Sequence, residues 1–247
     1  MTPYFDNGFA RLYQADARHL PISDSSVDCV VTSPPYWGLR DYGLEEQGLG
    51  LEPTPEAYCA NMVEVFREVR RVLKPTGTVW LNLGDSYSGG GGAHKPEHAN
   101  PGLSKSAERN GVPTSERDVM SGLKPKDLVG IPWRVAFALQ ADGWYLRSDI
   151  IWSKPNPMPE SVTDRPTKAH EYVFLLTKSP RYYYDNDAIR EEAVAERWGG
   201  HKPMNLNNTK DTNGVFNGLT RERDMMPSHR NKRSVWEIAT HPYPEAH

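Results

Sequence analysis

Apolar and polar positions alternate in short runs at the start of the chain and then take on helical spacing. Residues 12–14 and 27–32 are short β-branched or apolar runs followed by loop-forming residues, so they predict two buried parallel strands. Residues 54–73 have helical periodicity, with Thr54 placed to cap the helix and Pro55 suited to its first position. The apolar face of this helix consists of Tyr58, Met62, Val65, Phe66, Val69 and Leu73.

The rest of the pattern contains further strands, a second helix and a long polar interval. Residues 74–77 end the first helix, and the alternation over residues 78–83 predicts a strand. Residues 86–125 contain almost nothing apolar to bury and predict a mobile loop. Periodicity then returns in a helix over 126–141, strands over 145–152 and 171–177, and a hairpin arm over 181–184. This order predicts part of an α/β sheet with helices on its faces.

The distribution of charge is more informative than its sum. The net charge is -3, with 29 basic and 32 acidic side chains, which by itself indicates no polyanionic partner. Residues 197–233, however, carry eight basic and three acidic residues, a local charge of +5. This segment predicts either a DNA-reading surface or a solvated linker. Its basic residues are Arg197, Lys202, Lys210, Arg221, Arg223, Arg230, Lys232 and Arg233.

Cysteine usage and the apolar runs indicate a soluble protein of the cytoplasm. Cys29 and Cys59 have no CxxC or CxxH spacing, which argues against a disulfide framework or a metal site. We interpret both as buried thiols in a reducing compartment. No run of about 18 apolar residues occurs, and the first residues lack the pattern of a secretory signal.

The decisive stretch for chemistry is the apolar strand that runs directly into Ser33, Pro34, Pro35 and Tyr36. Two consecutive prolines prevent the strand ladder from continuing and leave the carbonyls of Ser33 and Pro34 without their usual donors. A rigid cluster of acceptors at the carboxyl end of a strand lies where open α/β sheets bind their ligands. Taken alone, the tetrapeptide is equally typical of a simple turn.

This stretch resembles the signature of the DNA amino-methyltransferases, in which Asp, Asn or Ser precedes Pro-Pro and an aromatic residue. The resemblance extends along almost the whole chain and matches the permuted form of the family, in which the catalytic half comes first. It includes residues 13–17, 68–77, 80–85, 151–157 and 170–174. It implies a partial Rossmann-like methyltransferase sheet with helices on both faces, plus a small irregular recognition region.

The resemblance also implies a reaction and a role for each motif residue. A base flipped out of double-stranded DNA would stack on Tyr36, while Ser33 and the Pro34 carbonyl polarise its exocyclic amine and Pro35 holds the turn. The methyl donor would be S-adenosylmethionine. Ser in the first position favours cytosine N4 as the target, with adenine N6 as the alternative. A cognate restriction endonuclease is a further expected partner.

Other polar residues near strand ends have two interpretations each. By resemblance, Asp16 would bind the adenine of the donor, with Thr32 and Ser33 completing that side; the alternative is that Asp16 caps a following helix. Asp85 either lines the pocket or begins the loop, and we favour the loop. Lys154 and Asn156 either shape the base pocket or belong to a simple turn.

The sequence departs from the family where the donor-binding half is expected. The family places a glycine-rich loop after a strand there, and the only glycine cluster, residues 89–92, follows a different strand. We therefore expect a fragment, from a truncation or an incomplete reading frame, or a chain completed by a partner. The expected domains are a catalytic half (1–187), a target-recognition region (188–233) and the start of the donor-binding half (234–247). A catalytically inert DNA-binding fragment is the alternative function.

Overall fold

The structure, a computed structural model, describes residues 2–39, 48–88, 122–192 and 229–241. Most of the loop expected over 86–125 lies outside these residues, as do Arg197, Lys202, Lys210, Arg221 and Arg223. The described elements, in chain order, are β1 (Phe5–Asp6), β2 (Arg11–Leu12), β3 (Val27–Thr32), α1 (Pro55–Val72), β4 (Leu73–Leu83), α2 (Ile131–Ala141), β5 (Tyr145–Ser153), β6 (His170–Thr177), β7 (Glu191–Glu192), β8 (His229–Arg230) and β9 (Val235–Glu237).

A mixed five-stranded sheet in the order β3-β4-β6-β5-β9 is the centre of the fold. Strands β3 and β4 run parallel, as do β5 and β9, whereas β6 pairs antiparallel with both β4 and β5. The α/β class expected from the sequence is confirmed. Because β6 runs antiparallel, its amino end lies beside the carboxyl ends of β3, β4 and β5. The candidate site lies at these strand ends.

Both described helices pack against the same face of the sheet. Val79, Leu81 and Leu83 alternate along β4 and are fully buried, and Leu176 and Phe174 lie beside the first two on β6. The buried faces of α1 and α2 join these residues in one hydrophobic core. On the opposite face, Trp80 packs against Trp236 with ring centroids 5.9 Å apart. The second layer of helices expected there is not among the described residues.

Helix α1 confirms the local signals in the sequence. The side chain of Thr54 accepts a hydrogen bond from the N–H of Ala57, and Pro55 occupies the first turn. The helix ends at Val72, and Leu73 begins β4 without an intervening loop. The break expected at residues 74–77 is instead a register shift in the pairing of β4 with β3.

The prediction of a buried parallel strand over residues 12–14 was wrong. Arg11 and Leu12 pair antiparallel with Asp6 and Phe5 in an exposed hairpin. Local polar contacts favour this turn, because Asp6 accepts from the N–H of Gly8 and from the Arg11 guanidinium. In the described structure, these two short strands form a separate sheet and do not join the parallel pair of β3 and β4.

Strand β3 pairs in parallel as expected, but its predicted burial was wrong. It is an edge strand in the described sheet, and Val31 is 79% exposed because the helices pack on the other face. Cys29 lies on this strand and is exposed, contrary to the expected buried thiol, whereas Cys59 is half-buried. Burial raises the pKa of Cys59 to about 11, so this thiol remains protonated.

Two further boundaries differ from the prediction. Helix α2 begins at Ile131 and not near 126, because Gly130 adopts a left-handed conformation with φ of 77° immediately before it. Residues 181–184 form no strand; instead the N–H of Tyr183 donates a hydrogen bond to Thr76. Within the described residues, neither helix combines the length and apolar character that a membrane span requires.

The chain divides into two compact units. One comprises Met1–Tyr183 and Ser234–His247, and the other Tyr184–Arg233. In the described part of the second unit, β7 and β8 form a short antiparallel pair in which Glu191 lies opposite Arg230.

Candidate active site

The turn after β3 is anchored by contacts from the hydrophobic core. Trp37 is buried and its indole N–H donates to the carbonyl of Glu52 at 2.8 Å. The hydroxyl of Tyr58, which projects from α1, donates to the carbonyl of Pro35 at 2.9 Å. These contacts fix the proline-containing turn against α1. We expected Pro35 to hold this turn, and its carbonyl oxygen is the atom through which Tyr58 contacts the turn.

With respect to the described residues, two acceptors remain available at this turn. Ser33 is exposed, and no donor among the described residues reaches the carbonyl oxygen of Pro34. The carbonyl of Pro35, in contrast, is already occupied by Tyr58. A ligand that approaches the carboxyl end of β3 therefore meets one hydroxyl and one carbonyl oxygen that can accept hydrogen bonds.

The aromatic ring of Tyr36 is half-buried and packs against Gly84 at the end of β4. Its hydroxyl lies 2.9 Å from Oδ1 of Asn82 and 2.8 Å from Oε2 of Glu171. The pKa of Tyr36 is raised, chiefly because the hydroxyl is buried, and so the hydroxyl keeps its proton at neutral pH. The ring is thus held at both its edge and its hydroxyl.

Glu171, Asn82 and Lys154 form the polar wall beside Tyr36. The amide nitrogen of Asn82 donates to Oε2 of Glu171 and to the carbonyl of Tyr172, each at 3.1 Å. The ammonium of Lys154 pairs with the other oxygen of Glu171 and lies 4.6 Å from the ring centroid of Trp152. Burial works to raise the pKa of Glu171, but hydrogen bonds from Lys154 and Tyr36 outweigh it and hold the pKa below its usual range.

The roles of Glu171 and Asn82 in this wall were not foreseen in the sequence. Glu171 begins an apolar run and Lys154 follows another, and both are brought together because β5 and β6 pair antiparallel, with Trp152 opposite Glu171. Predicting that the strands over 145–152 and 171–177 pair antiparallel would have placed Lys154 and Glu171 close together. The proposed contribution of Lys154 to the pocket is compatible with this position.

Asp85 and Asn156 have structural contacts. Oδ1 of Asp85 accepts hydrogen bonds from the N–H groups of Gly130 and Ile131, each at 3.0 Å, and so caps α2. We favoured the interpretation of Asp85 as the start of a loop. That interpretation was incomplete, because Asp85 also binds the start of α2, up to 46 positions further along the chain. The side chain of Asn156 exchanges hydrogen bonds with the backbone of Thr240.

The residues expected to bind the methyl donor lie in two parts of the described structure, a turn and the end of β3. Asp16 lies in a turn, where its carboxylate accepts from the backbone and the guanidinium of Arg18. No helix follows, so the helix-capping alternative for Asp16 was wrong. Thr32 ends β3 beside Leu81, and Ser33 follows it at the edge of the sheet.

Comparison with known proteins decides the family. The model of the DNA methylase family that comprises N6 and N4 methyltransferases matches residues 27–246. The chain belongs to this family. It is 47% identical over 243 residues to the Type II methyltransferase M.Cfr9I of Citrobacter freundii, covering 96% of this chain and 67% of the relative. It is 48% identical over 226 residues to M.SmaI of Serratia marcescens, covering 91% of this chain and 64% of that relative. The chain thus spans about two thirds of the length of these relatives.

A solved structure shares the family fold. The PvuII DNA methyltransferase, described as cytosine-N4-specific, aligns with a TM-score of 0.52 over 94% of this chain and 57% of its own, at 14% identity. At this identity the likeness shows the fold alone.

The structure describes three of the eight basic residues that the sequence predicts to bind DNA. All three form ion pairs with one carboxylate. Arg230, Lys232 and Arg233 form ion pairs with Glu191 at 3.3, 3.2 and 2.9 Å. Burial works to raise the pKa of Glu191, but the pairs with Lys232 and Arg233 lower it to about 2. Glu191 therefore remains charged at neutral pH and neutralises part of the positive charge.

Proposed function

We propose that the chain is the catalytic part of a DNA methyltransferase that transfers a methyl group to N4 of a flipped cytosine. The observation that carries the proposal is the pair of available acceptors, Ser33 Oγ and the Pro34 carbonyl, beside the anchored ring of Tyr36. An exocyclic amine is a poor nucleophile because its lone pair is delocalised into the ring. Acceptors that bind its two hydrogens favour a pyramidal nitrogen and so promote attack. Stacking on Tyr36 would orient the base.

Cytosine is favoured over adenine because the first motif position is a serine. Adenine N6 remains the alternative target, since either exocyclic amine presents two hydrogens to the same acceptors.

The chemistry of three described residues suits one side of S-adenosylmethionine. Its adenine and ribose present hydrogen-bond donors, and the carboxylate of Asp16, whose side chain is 47% exposed, and the exposed hydroxyl of Ser33 are matching acceptors. Asp16, Thr32 and Ser33 would hold this side of the donor. When bound, S-adenosylmethionine supplies an electrophilic methyl group.

We further propose double-stranded DNA as substrate and a cognate restriction endonuclease as functional partner. The support is that the relatives are named Type II methyltransferases. The basic residues from Arg197 to Arg233 would contact the DNA backbone, which supplies most of the affinity of such proteins. The proposed division remains a catalytic part over 1–187, a recognition region over 188–233 and a further segment from 234.

A methyl-transfer assay on unmethylated plasmid DNA tests the proposal. The chain alone and a form extended to the length of its relatives are incubated with S-adenosylmethionine, and the nucleosides are then analysed by mass spectrometry. N4-methylcytosine supports the proposal, and N6-methyladenine supports the alternative target. DNA binding without methylation by either form would support the inert DNA-binding fragment.

The same assay tests the motif residues. Tyr36→Ala should lose base stacking worth about 1–3 kcal/mol. Ser33→Ala should lower the rate by roughly a hundredfold, by analogy with the loss of one preorganised hydrogen-bonding group. Ser23→Ala, at an exposed position in the turn before β3, is the control and should retain activity. Full activity in both Tyr36→Ala and Pro34→Ala would overturn the assignment of the reaction centre.

A further inference from the structure

We infer that Glu171 is a positioning residue: through the hydroxyl of Tyr36 it turns the Ser33 hydroxyl so that the lone pairs of Ser33 face the target amine. The inference rests on the proposed function and adds a residue on β6 to the acceptor pair on β3. It follows from the number of protons available in the cluster of Ser33, Tyr36, Asn82 and Glu171.

The orientation of Asn82 is fixed by its partners. Its amide nitrogen faces two acceptors, the carboxylate of Glu171 and the carbonyl of Tyr172. The reverse orientation would place the amide oxygen against both acceptors and lose two hydrogen bonds. Oδ1 of Asn82 therefore points toward Tyr36 and Ser33 as an acceptor that has no proton to give.

The proton of Tyr36 then has one preferred direction. The hydroxyl has a single hydrogen and two acceptors at 2.8 and 2.9 Å, the carboxylate of Glu171 and the amide oxygen of Asn82. An ionised acceptor forms a hydrogen bond roughly twice as strong as a neutral one. The proton is thus donated to Glu171, and the lone pairs of the Tyr36 hydroxyl oxygen become available to Ser33.

Ser33 consequently has two acceptors and no donor as neighbours within the cluster. Its Oγ lies 3.3 Å from both the Tyr36 hydroxyl and Oδ1 of Asn82. The Ser33 proton points into the cluster, and its own lone pairs remain for an external donor. These contacts are longer than the usual hydroxyl hydrogen bond of about 2.7–2.8 Å, as is common before a substrate binds.

This orientation gives the site a preference for an amine over a carbonyl. A serine hydroxyl by itself donates to a carbonyl as readily as it accepts from an amine. With its proton directed toward Tyr36 and Asn82, Ser33 accepts hydrogen bonds and disfavours a base that presents an oxygen at that position. The charge that sets this direction is maintained because Lys154 pairs with Glu171, whose side chain is only 18% exposed.

The experiment compares Glu171→Gln and Tyr36→Phe with the wild type in the methyl-transfer assay. Glu171→Gln removes the charge, and Tyr36→Phe keeps the ring but removes the hydroxyl. Each variant should lower kcat by about tenfold or more while KM for DNA changes little, because the lost contact acts on the reacting amine. Since both changes break the same connection, the double variant should be no slower than the slower single variant. Glu56→Gln and Tyr183→Phe, at exposed positions elsewhere, are controls with full activity.

A pH profile separates positioning from a purely structural role. In the wild type, kcat should fall in acid as Glu171 becomes protonated, and this limb should be absent in Glu171→Gln. Wild-type kcat and an unchanged acid limb in both variants would overturn the inference while leaving the proposed function intact. Absence of methyl transfer to an amine by the wild-type protein, both alone and extended to the length of its relatives, would instead overturn the proposed function.

Discussion

The ring of Tyr36 packs so closely against Gly84 that a Cβ at position 84 would lie 2.5 Å from Cε2 of the tyrosine. A real Cβ contact is never this short, so only glycine lets the end of β4 and the motif after β3 approach each other in this way. The hydroxyl of Tyr36 is meanwhile held by Asn82 and Glu171. The ring therefore has little freedom to move aside.

Gly84→Ala should displace the Tyr36 ring and reduce both activity and stability. Overpacking of this kind costs about 1–3 kcal/mol, which urea denaturation can measure. The same substitution in a Tyr36→Ala background should have little effect on stability, because the clashing ring is gone. Equal destabilisation in the two backgrounds would show that the contact is not the cause.

Asp85→Ala should destabilise the protein by about 0.5–2 kcal/mol, the usual cost of losing a helix cap. The carboxylate accepts from the N–H groups of Gly130 and Ile131, at the start of α2, which are otherwise without partners in the helix. Asp85→Asn keeps an acceptor oxygen and should retain most of this stability. Thermal unfolding monitored by circular dichroism distinguishes the two, and an Asn variant as unstable as the Ala variant would contradict the capping role.

Local signals made part of this fold predictable. Thr54 and Pro55 mark the start of α1 through interactions within a few residues, and the prolines of the motif end β3 in the same way. The prediction that the motif lies at the carboxyl end of a strand is therefore confirmed.

Contacts between distant segments were not predictable in this way. Tyr36 and Glu171 are separated by 135 positions, and their contact depends on β6 running antiparallel between β4 and β5. An apolar run predicts a strand but not its direction or its neighbours. The exposure of Val31 has the same origin, since burial of a strand depends on which face the helices cover.

Acid should weaken the attachment of residues 20–24 to α1. Glu68 accepts from Arg71 and from the N–H of Leu20, and Arg71 also pairs with Asp24. The hydrogen bond from Arg71 is the main reason that the pKa of Glu68 falls from 4.5 to about 2. A lowered pKa in the folded state means stability that is fully present above pH 4.5 and is lost as the pH falls toward 2.

Glu68→Gln should therefore lower the thermal unfolding midpoint at pH 7, and this difference from the wild type should shrink as the pH falls from 4.5 toward 2. Glu64→Gln, on the exposed side of the same helix, is the matched control. A difference between Glu68→Gln and the wild type that is the same at pH 7 and pH 2.5 would rule out the ion pair as its source.

The second unit permits a specific test of DNA binding, because three cations converge on Glu191. Neutralising Arg230, Lys232 and Arg233 together should flatten the dependence of log affinity on log salt by up to about three phosphate contacts, roughly 0.9 each. Glu191→Gln breaks the same three ion pairs but leaves the cations in place, so it should keep or steepen that slope. Fluorescence anisotropy with labelled duplex DNA, over about 50–200 mM salt, measures both. If the triple variant and Glu191→Gln lose affinity alike, the ion pairs support the local structure, and these cations do not bind phosphate.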